Sequence, residues 1–232
     1  MMESWVPLEC NPFILTQYLW ELGISKDLEI YDIFTLDDEE MLRFIPRPVF
    51  ALLFVFPVKE SDENCSSIET KEILIKNQEN IIWFKQTVRN SCGAIALLHA
   101  ATNGDARNFI LPNTLLANIL EKIEYLDPSS LSNMIEFSQL KTIHEKFASQ
   151  GETTAPDALE DTSLHYVCFV KSSVNGHLYE LDGRNPLGPI DHGFLNNSDI
   201  LGDQSIQIIK SYINKREKEI RFSLCALAYK IQ

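Results

Sequence analysis

The sequence predicts an α+β fold within the broad α/β class: a mixed or antiparallel sheet with helices packed around it, not a doubly wound one. Three observations carry this. Strand-like and helix-like segments do not alternate regularly, as stacked βαβ units would require. Two strand patterns, "LHYVCFVKS" and "HLYELDG", flank "SVNG" and read as a hairpin. "VFALLFVFP", Val49 to Pro57, is a short apolar run rich in Val and Phe between prolines, the pattern of a strand buried on both faces.

Taken in order, Asn11-Pro12 followed by "FILTQYLWEL" and Gly23 is a capped helix, with Asn11 as N-cap, Pro12 at the first position and Gly23 as the stop. The buried strand Val49–Pro57 follows. Glu60 to Glu72 is polar and acidic without periodicity, a surface loop. Cys92 to Thr102 is a helix whose apolar positions cover every side, so it is buried in the middle of the domain. Thr114 to Ile123 and Ser130 to Ser149 are amphipathic helices. Gly151 to Ser163, "GETTAPDALEDTS", is a long polar loop. The hairpin comes next, then a helix over Ser205 to Glu217 and a last buried strand, "RFSLCALAYKI".

Composition narrows the function. The 232 residues carry a formal net charge of −13, which disfavours nucleic acid and anionic membrane as partners and suits a basic protein or peptide. No run of 18 apolar residues is present, so no membrane span is expected. The amino terminus lacks the basic-then-apolar pattern of a secretory signal. The five cysteines (Cys10, Cys65, Cys92, Cys168, Cys225) are widely spaced and show no Cys-x-x-Cys pair. They are expected to be reduced thiols of a cytoplasmic or nuclear protein, with no zinc cluster and no other metal site or cofactor.

Cys92 stands apart because it opens a helix. Unpaired backbone N–H groups and the macrodipole there favour a thiolate, and the same N–H groups can hold an oxyanion. Asn90 or Ser91 is available as the N-cap, and Gln86, six residues earlier, can supply a side-chain amide as second donor. Gln-x5-Cys-Gly entering an apolar helix is the layout of papain-like thiol hydrolases. The structural alternative is a small buried hydrophobe. Cys168 and Cys225, inside apolar strands, are read as packing residues.

A thiol nucleophile needs an imidazole and a group to orient it. His99 lies two turns beyond Cys92, too far along the axis. His144 sits among charged neighbours and is read as solvated. His177 follows the hairpin turn, and His192 in "PIDHG" is a loop histidine that stays open. His165 begins a strand after the polar loop, and Asp182 ends the partner strand. Register tests that pair. A two-residue Asn175-Gly176 turn would set His165 against Pro186, leaving Asp182 about four residues off, roughly 13 Å along the strand. The pairing of His165 with Asp182 therefore requires a wider loop, spanning roughly Ser172 to Gly176.

Long stretches of the chain, "WVPLECNP", "PRPVFALLFVFPV", "KQTVRNSCGAIALLHA", "IHEKFASQGETTAP", "LHYVCFV", "GHLYELDGR" and "IRFSLCALA", occur together and in order. In them the sequence resembles the ubiquitin C-terminal hydrolases, small papain-like thiol peptidases. The resemblance covers nearly the whole chain and so implies one catalytic domain over residues 1–232. It implies a central, largely antiparallel sheet flanked by helices, in a knotted backbone. It makes Cys92 the nucleophile, His165 the general base and acid, Asp182 the orienting carboxylate and Gln86 the oxyanion donor.

The resemblance also implies a strap, Gln150 to Ser163, under which the ubiquitin tail is threaded, so that only small or flexible adducts pass. Leu8 and Glu9 in "PLECNP" are implied ubiquitin contacts, and Asn90, Gly151, Pro156 and Leu164 are counted with them. The net negative charge suits a substrate tail that carries arginines before its two glycines. The hairpin between His165 and Asp182 is about two residues longer than the family's usual one. The sequence ends after the last strand, so no docking extension and a monomer are expected. Two other readings stand beside this one: a related ubiquitin-like modifier as substrate, and a ubiquitin-binding module that keeps an idle site.

Overall fold

The computed structural model describes residues 4–58, 81–123, 135–151, 162–195, 199–216 and 219–231. The Glu60–Glu72 loop, Cys65 and Pro156 lie outside the described residues.

Six helices and six strands make up the described chain, together with a short 3-10 turn at Gly104–Phe109. The helices are α1 (Pro12–Leu22), α2 (Glu39–Leu42), α3 (Cys92–Thr102), α4 (Leu115–Ile123), α5 (Ile135–Ala148) and α6 (Asp203–Asn214). The strands are β1 (Leu28–Asp32), β2 (Val49–Pro57), β3 (Leu164–Lys171), β4 (His177–Leu181), β5 (Ile190–Phe194) and β6 (Ser223–Tyr229).

α1 forms as its punctuation dictates. The Asn11 side chain accepts from the N–H groups of Phe13 (3.0 Å) and Ile14 (3.4 Å), Pro12 occupies the first position, and Gly23 turns left-handed at φ +119. Asn11→Ala is expected to cost about 1 kcal/mol, lowering the melting temperature by roughly 2–4 °C. A thermal melt followed by circular dichroism checks this, and an unchanged midpoint would mean that the cap contributes nothing.

All neighbouring strands run antiparallel, in the order β1-β6-β2-β3-β4-β5. β2 is central, and all nine of its residues are buried, as its unbroken apolar run requires. Alternation sends Ala51, Leu53 and Val55 into one core with α1 and α3, while Leu52, Phe54 and Phe56 enter a second core with Ile209 of α6. The sheet is therefore a middle layer with helices on both sides. Every residue of α3 is buried. That placement carries Cys92 to the edge of the central layer.

The β3–β4 turn is wide. Ser172 N–H donates to His177 O (2.9 Å), Gly176 N–H donates to Ser172 O (3.0 Å), and the ladder runs from Lys171↔Leu178 to Cys168↔Leu181. Gly176 takes φ +74, and a Cβ there would meet the Phe194 ring at 2.8 Å. One further step of that register sets Asp182 across from Val167, with His165 on the diagonal. This is the wide loop that the His165–Asp182 pair needs, with four residues between the paired Ser172 and His177.

Three elements have no counterpart in the sequence reading. β1 and β5 are the two edges of the sheet, and their outward residues are acidic or exposed, so the apolar alternation is broken. His192 sits in β5, not in a loop. α2 is a four-residue turn capped by Asp38. The last helix ends at Asn214, short of the expected Glu217.

Candidate active site

Cys92 is the first residue of α3 and is 7% exposed. Ser91 is the N-cap, but its hydroxyl donates to Val88 O (2.8 Å) instead of capping the helix. Asn90 turns left-handed at φ 61 and is no cap either. The first turn of α3 thus has no side-chain cap, which leaves its N–H groups to an anion at the thiol.

His165 Nε2 lies 2.7 Å from Asp182 Oδ1, with the imidazole 2% and the carboxylate 23% exposed. Asp182 Oδ1 also accepts the Arg184 N–H (2.8 Å), and Trp83 Nε1 donates to the Asp182 carbonyl (2.8 Å). Burial works against charge at Cys92, His165 and Asp182, yet their mutual attraction reverses it. Burial opposes the Cys92 thiolate, but His165, the Tyr166 N–H and Arg184 together bring the thiol below its ordinary value. Burial likewise opposes the imidazolium, and Asp182 and Cys92 push His165 up to about 9. Burial opposes the Asp182 carboxylate, and His165 with Arg184 holds it below the usual range. The arrangement favours a thiolate–imidazolium pair aimed by a carboxylate, which can attack an acyl carbon and protonate its leaving group.

Gln86 is tied to the same corner. Its N–H donates to Gly183 O (2.8 Å), next to Asp182, and its side-chain Nε2 donates one hydrogen to Val88 O (3.1 Å). The amide nitrogen carries a second hydrogen. A Cβ on Gly183 would meet Ile95 at 2.9 Å and Gln86 Cβ at 3.1 Å, so only glycine lets the segment after Asp182 close against Gln86 and α3.

A cleft of about 320 Å³ opens on Cys92 and is lined in part by Leu8, Glu9, Cys10, Asn90, Gly151 and Leu164. Five of the six expected contact residues, all but Pro156, therefore surround one cavity with the thiol. Leu8 packs on Gly93, where a Cβ would lie 3.0 Å from its side chain.

The family model described as "Ubiquitin carboxyl-terminal hydrolase, family 1" matches residues 5–214. The chain belongs to that family. It is a cysteine-type ubiquitin C-terminal hydrolase. It is 36% identical to ubiquitin carboxyl-terminal hydrolase 3 of Arabidopsis thaliana, over 97% of this chain and 94% of the relative. It is 32% identical to ubiquitin carboxyl-terminal hydrolase YUH1 of Saccharomyces cerevisiae, over 96% of this chain and 94% of that one. The fold matches the crystal structure of the Trichinella spiralis UCH37 catalytic domain bound to ubiquitin vinyl methyl ester. There the TM-score is 0.75 and the identity 23%, over 98% of this chain and 96% of the other.

A second histidine of the hydrolase, after His192, departs from expectation. His144, read as solvated, is fully buried between Trp5 and Tyr18, with Nε2 2.7 Å from Val6 O and Nδ1 3.3 Å from the Tyr18 hydroxyl. Burial pushes its pKa down to about 4, so it stays neutral and pins the amino-terminal segment to α5. The charged neighbours Glu145 and Lys146 face solvent, and His144 takes the opposite side of the helix. His99 is neutral as well, lowered to about 3 by burial, and its Nε2 accepts the Phe84 N–H (2.8 Å).

Sequence reasoning missed Tyr166, Trp83, Arg184 and Phe56. Tyr166 follows His165 in β3, and its hydroxyl donates to Leu8 O (3.1 Å), joining the sheet to the cleft wall. Phe56 stands edge-on to His165 with ring centroids 6.0 Å apart. Only Arg184 left a local trace, because Asp-Gly-Arg is a turn in which the carboxylate accepts from the backbone two residues on.

The coupling of Cys92 with His165 gives an expected pH dependence. The first proton leaves below the ordinary thiol range and creates the thiolate–imidazolium form, and the second leaves near pH 9. kcat/KM is therefore expected to rise along an acid limb placed below the ordinary thiol value and to fall with an apparent pKa near 9. An alkaline limb at the ordinary imidazole value would refute the coupling. The linkage to stability has the same sign. The His165 contribution is complete below about pH 6.5 and is lost as pH rises through about 9. That of Asp182 is present above its ordinary carboxylate value and is lost on acidification.

Proposed function

We propose that this hydrolase cleaves small or flexible adducts from the carboxyl-terminal glycine of ubiquitin, through Cys92, His165, Asp182 and Gln86. The observation that carries the reading is the 2.7 Å His165–Asp182 contact beside a thiol whose pKa the imidazole lowers. The Cys92 thiolate attacks the glycine carbonyl carbon. The oxyanion is held by the amino-terminal N–H groups of α3 and the second hydrogen of the Gln86 amide. The His165 imidazolium gives its proton to the departing amine as the C–N bond breaks, leaving a thioester. His165 then takes a proton from water, which attacks the thioester and frees the ubiquitin carboxylate and the thiol.

The substrate reading is supported by the relatives' names, by a fold neighbour bound to ubiquitin vinyl methyl ester, and by a net charge of −13 opposite an arginine-bearing tail. Leu8, Glu9, Asn90, Gly151 and Leu164 then grip the tail in the cleft. The enzyme works as a monomer in the cytoplasm or nucleus.

The test compares release of a fluorescent amine from ubiquitin with release from a ubiquitin-like modifier that ends in the same two glycines. Ubiquitin is expected to be turned over at least about tenfold more efficiently, a difference of about 1.4 kcal/mol in transition-state binding. A preference for the other modifier would reassign the substrate. Tight ubiquitin binding without turnover would reduce the protein to a binding module.

A further inference from the structure

Cys10 and Cys225 stand 215 positions apart in the chain, and their sulfurs lie 3.6 Å from each other as free thiols. Cys10 precedes the N-cap of α1 and lines the cleft that opens on Cys92. Cys225 is fully buried in β6, where its cross-strand neighbour is Asp32 of β1. The Cys225 thiol donates to Asp32 Oδ1 at 3.3 Å. Half-buried Cys10 thus faces the cleft on one side and a second sulfur on the other, and that sulfur already points its proton at a carboxylate.

A disulfide needs its sulfurs about 2.05 Å apart, so the pair has roughly 1.5 Å to close. No intervening atom has to leave. We infer that Cys10 and Cys225 are a peroxide-responsive dithiol whose disulfide tethers the Pro7–Cys10 wall of the cleft to the last strand. Cys10, reached through the cleft, takes one oxygen from the peroxide to become a sulfenic acid, and the peroxide leaves as an alcohol or water. The Cys225 sulfur attacks the Cys10 sulfur. The S–O bond breaks, and hydroxide leaves with the Cys225 proton as water, Asp32 receiving that proton in passing. Two thiols are oxidised by two electrons and one peroxide is reduced. Exchange with two equivalents of a small thiol, which leave as their own disulfide, returns the pair to the dithiol.

The bond would span most of the chain, joining its two ends across the sheet. It is expected to stabilise the fold mainly by restricting the unfolded chain, raising the melting temperature by roughly 5–10 °C. The experiment uses the full chain carrying Cys92→Ala, which removes the nucleophilic thiol as a competing target and makes the readout independent of activity. The protein is treated with hydrogen peroxide, digested without reduction and mapped by mass spectrometry. A peptide pair joined through Cys10 and Cys225 is expected, lost on addition of dithiothreitol. The rise in melting temperature is expected in Cys92→Ala and absent in Cys92→Ala/Cys10→Ser, whose changed side chain is only half-buried. Cys10 recovered as sulfinic acid with Cys225 still free would overturn the inference. So would a Cys10 crosslink to any other cysteine, or a melting temperature that peroxide leaves unchanged.

Discussion

A Cys92→Ala chain is expected to fold, to bind ubiquitin, and to release the amine at least about 10,000-fold more slowly than the native enzyme. The size of the loss follows from what the sulfur does. The neighbouring Ser91 hydroxyl is engaged with Val88 O, and a water held there by the oxyanion donors is a far weaker nucleophile than a thiolate. Folding is spared because alanine suits a first helical turn and the buried sulfur lines a cleft that a methyl group leaves intact. The stability change is expected to stay within about 1 kcal/mol, since the side chain removed is small and the imidazole left behind keeps its partner Asp182. Three measurements decide it: steady-state amine release, isothermal titration with ubiquitin, and a thermal melt. Substantial turnover by the alanine chain would sink the assignment of the nucleophile. Lost binding with a normal melt would show that the thiol also holds the substrate.

Replacing Asp182 by asparagine is the second large effect. The side chain keeps its shape, so the β4 end and the Asp-Gly-Arg turn should persist, and the Arg184 N–H still has an oxygen to donate to. What disappears is the negative charge 2.7 Å from His165 Nε2. Without it the imidazolium loses its main support against burial, and Cys92 loses much of the cation that keeps its thiol low. A fall in kcat of roughly 100- to 10,000-fold is expected, with KM little changed. The alkaline limb of kcat/KM should also move from near 9 toward the ordinary imidazole value. A purely structural aspartate would leave that limb in place, so a loss of rate with an unshifted profile would reject the orienting role.

Both predictions depend on a contact that is half local and half not. The wide hairpin loop was inferable, because a two-residue turn would have left Asp182 stranded along the strand. The diagonal that joins His165 to Asp182, by contrast, comes from the ladder Lys171↔Leu178 to Cys168↔Leu181 and from where that ladder stops. His144 shows the other limit. Its neighbours in sequence are charged, yet the helix carries it into a cage of Trp5 and Tyr18 supplied by segments more than 120 residues earlier. No window around position 144 contains that information.

By itself the sequence determined the capped α1, the fully buried β2, the helix that starts at Cys92 and the hairpin that carries His165 and Asp182. Those features are written in caps, periodicity and apolar runs, which act over one or two turns of chain. The tertiary structure alone decided the edge strands β1 and β5, the closing of Gly183 against Gln86, and the convergence of Leu8, Gly151 and Leu164 on one cleft. It also brought Cys10 to within 3.6 Å of Cys225. Each of these is a meeting of residues far apart in the chain, and it exists only once the sheet register and the packing of helices on both its faces are set.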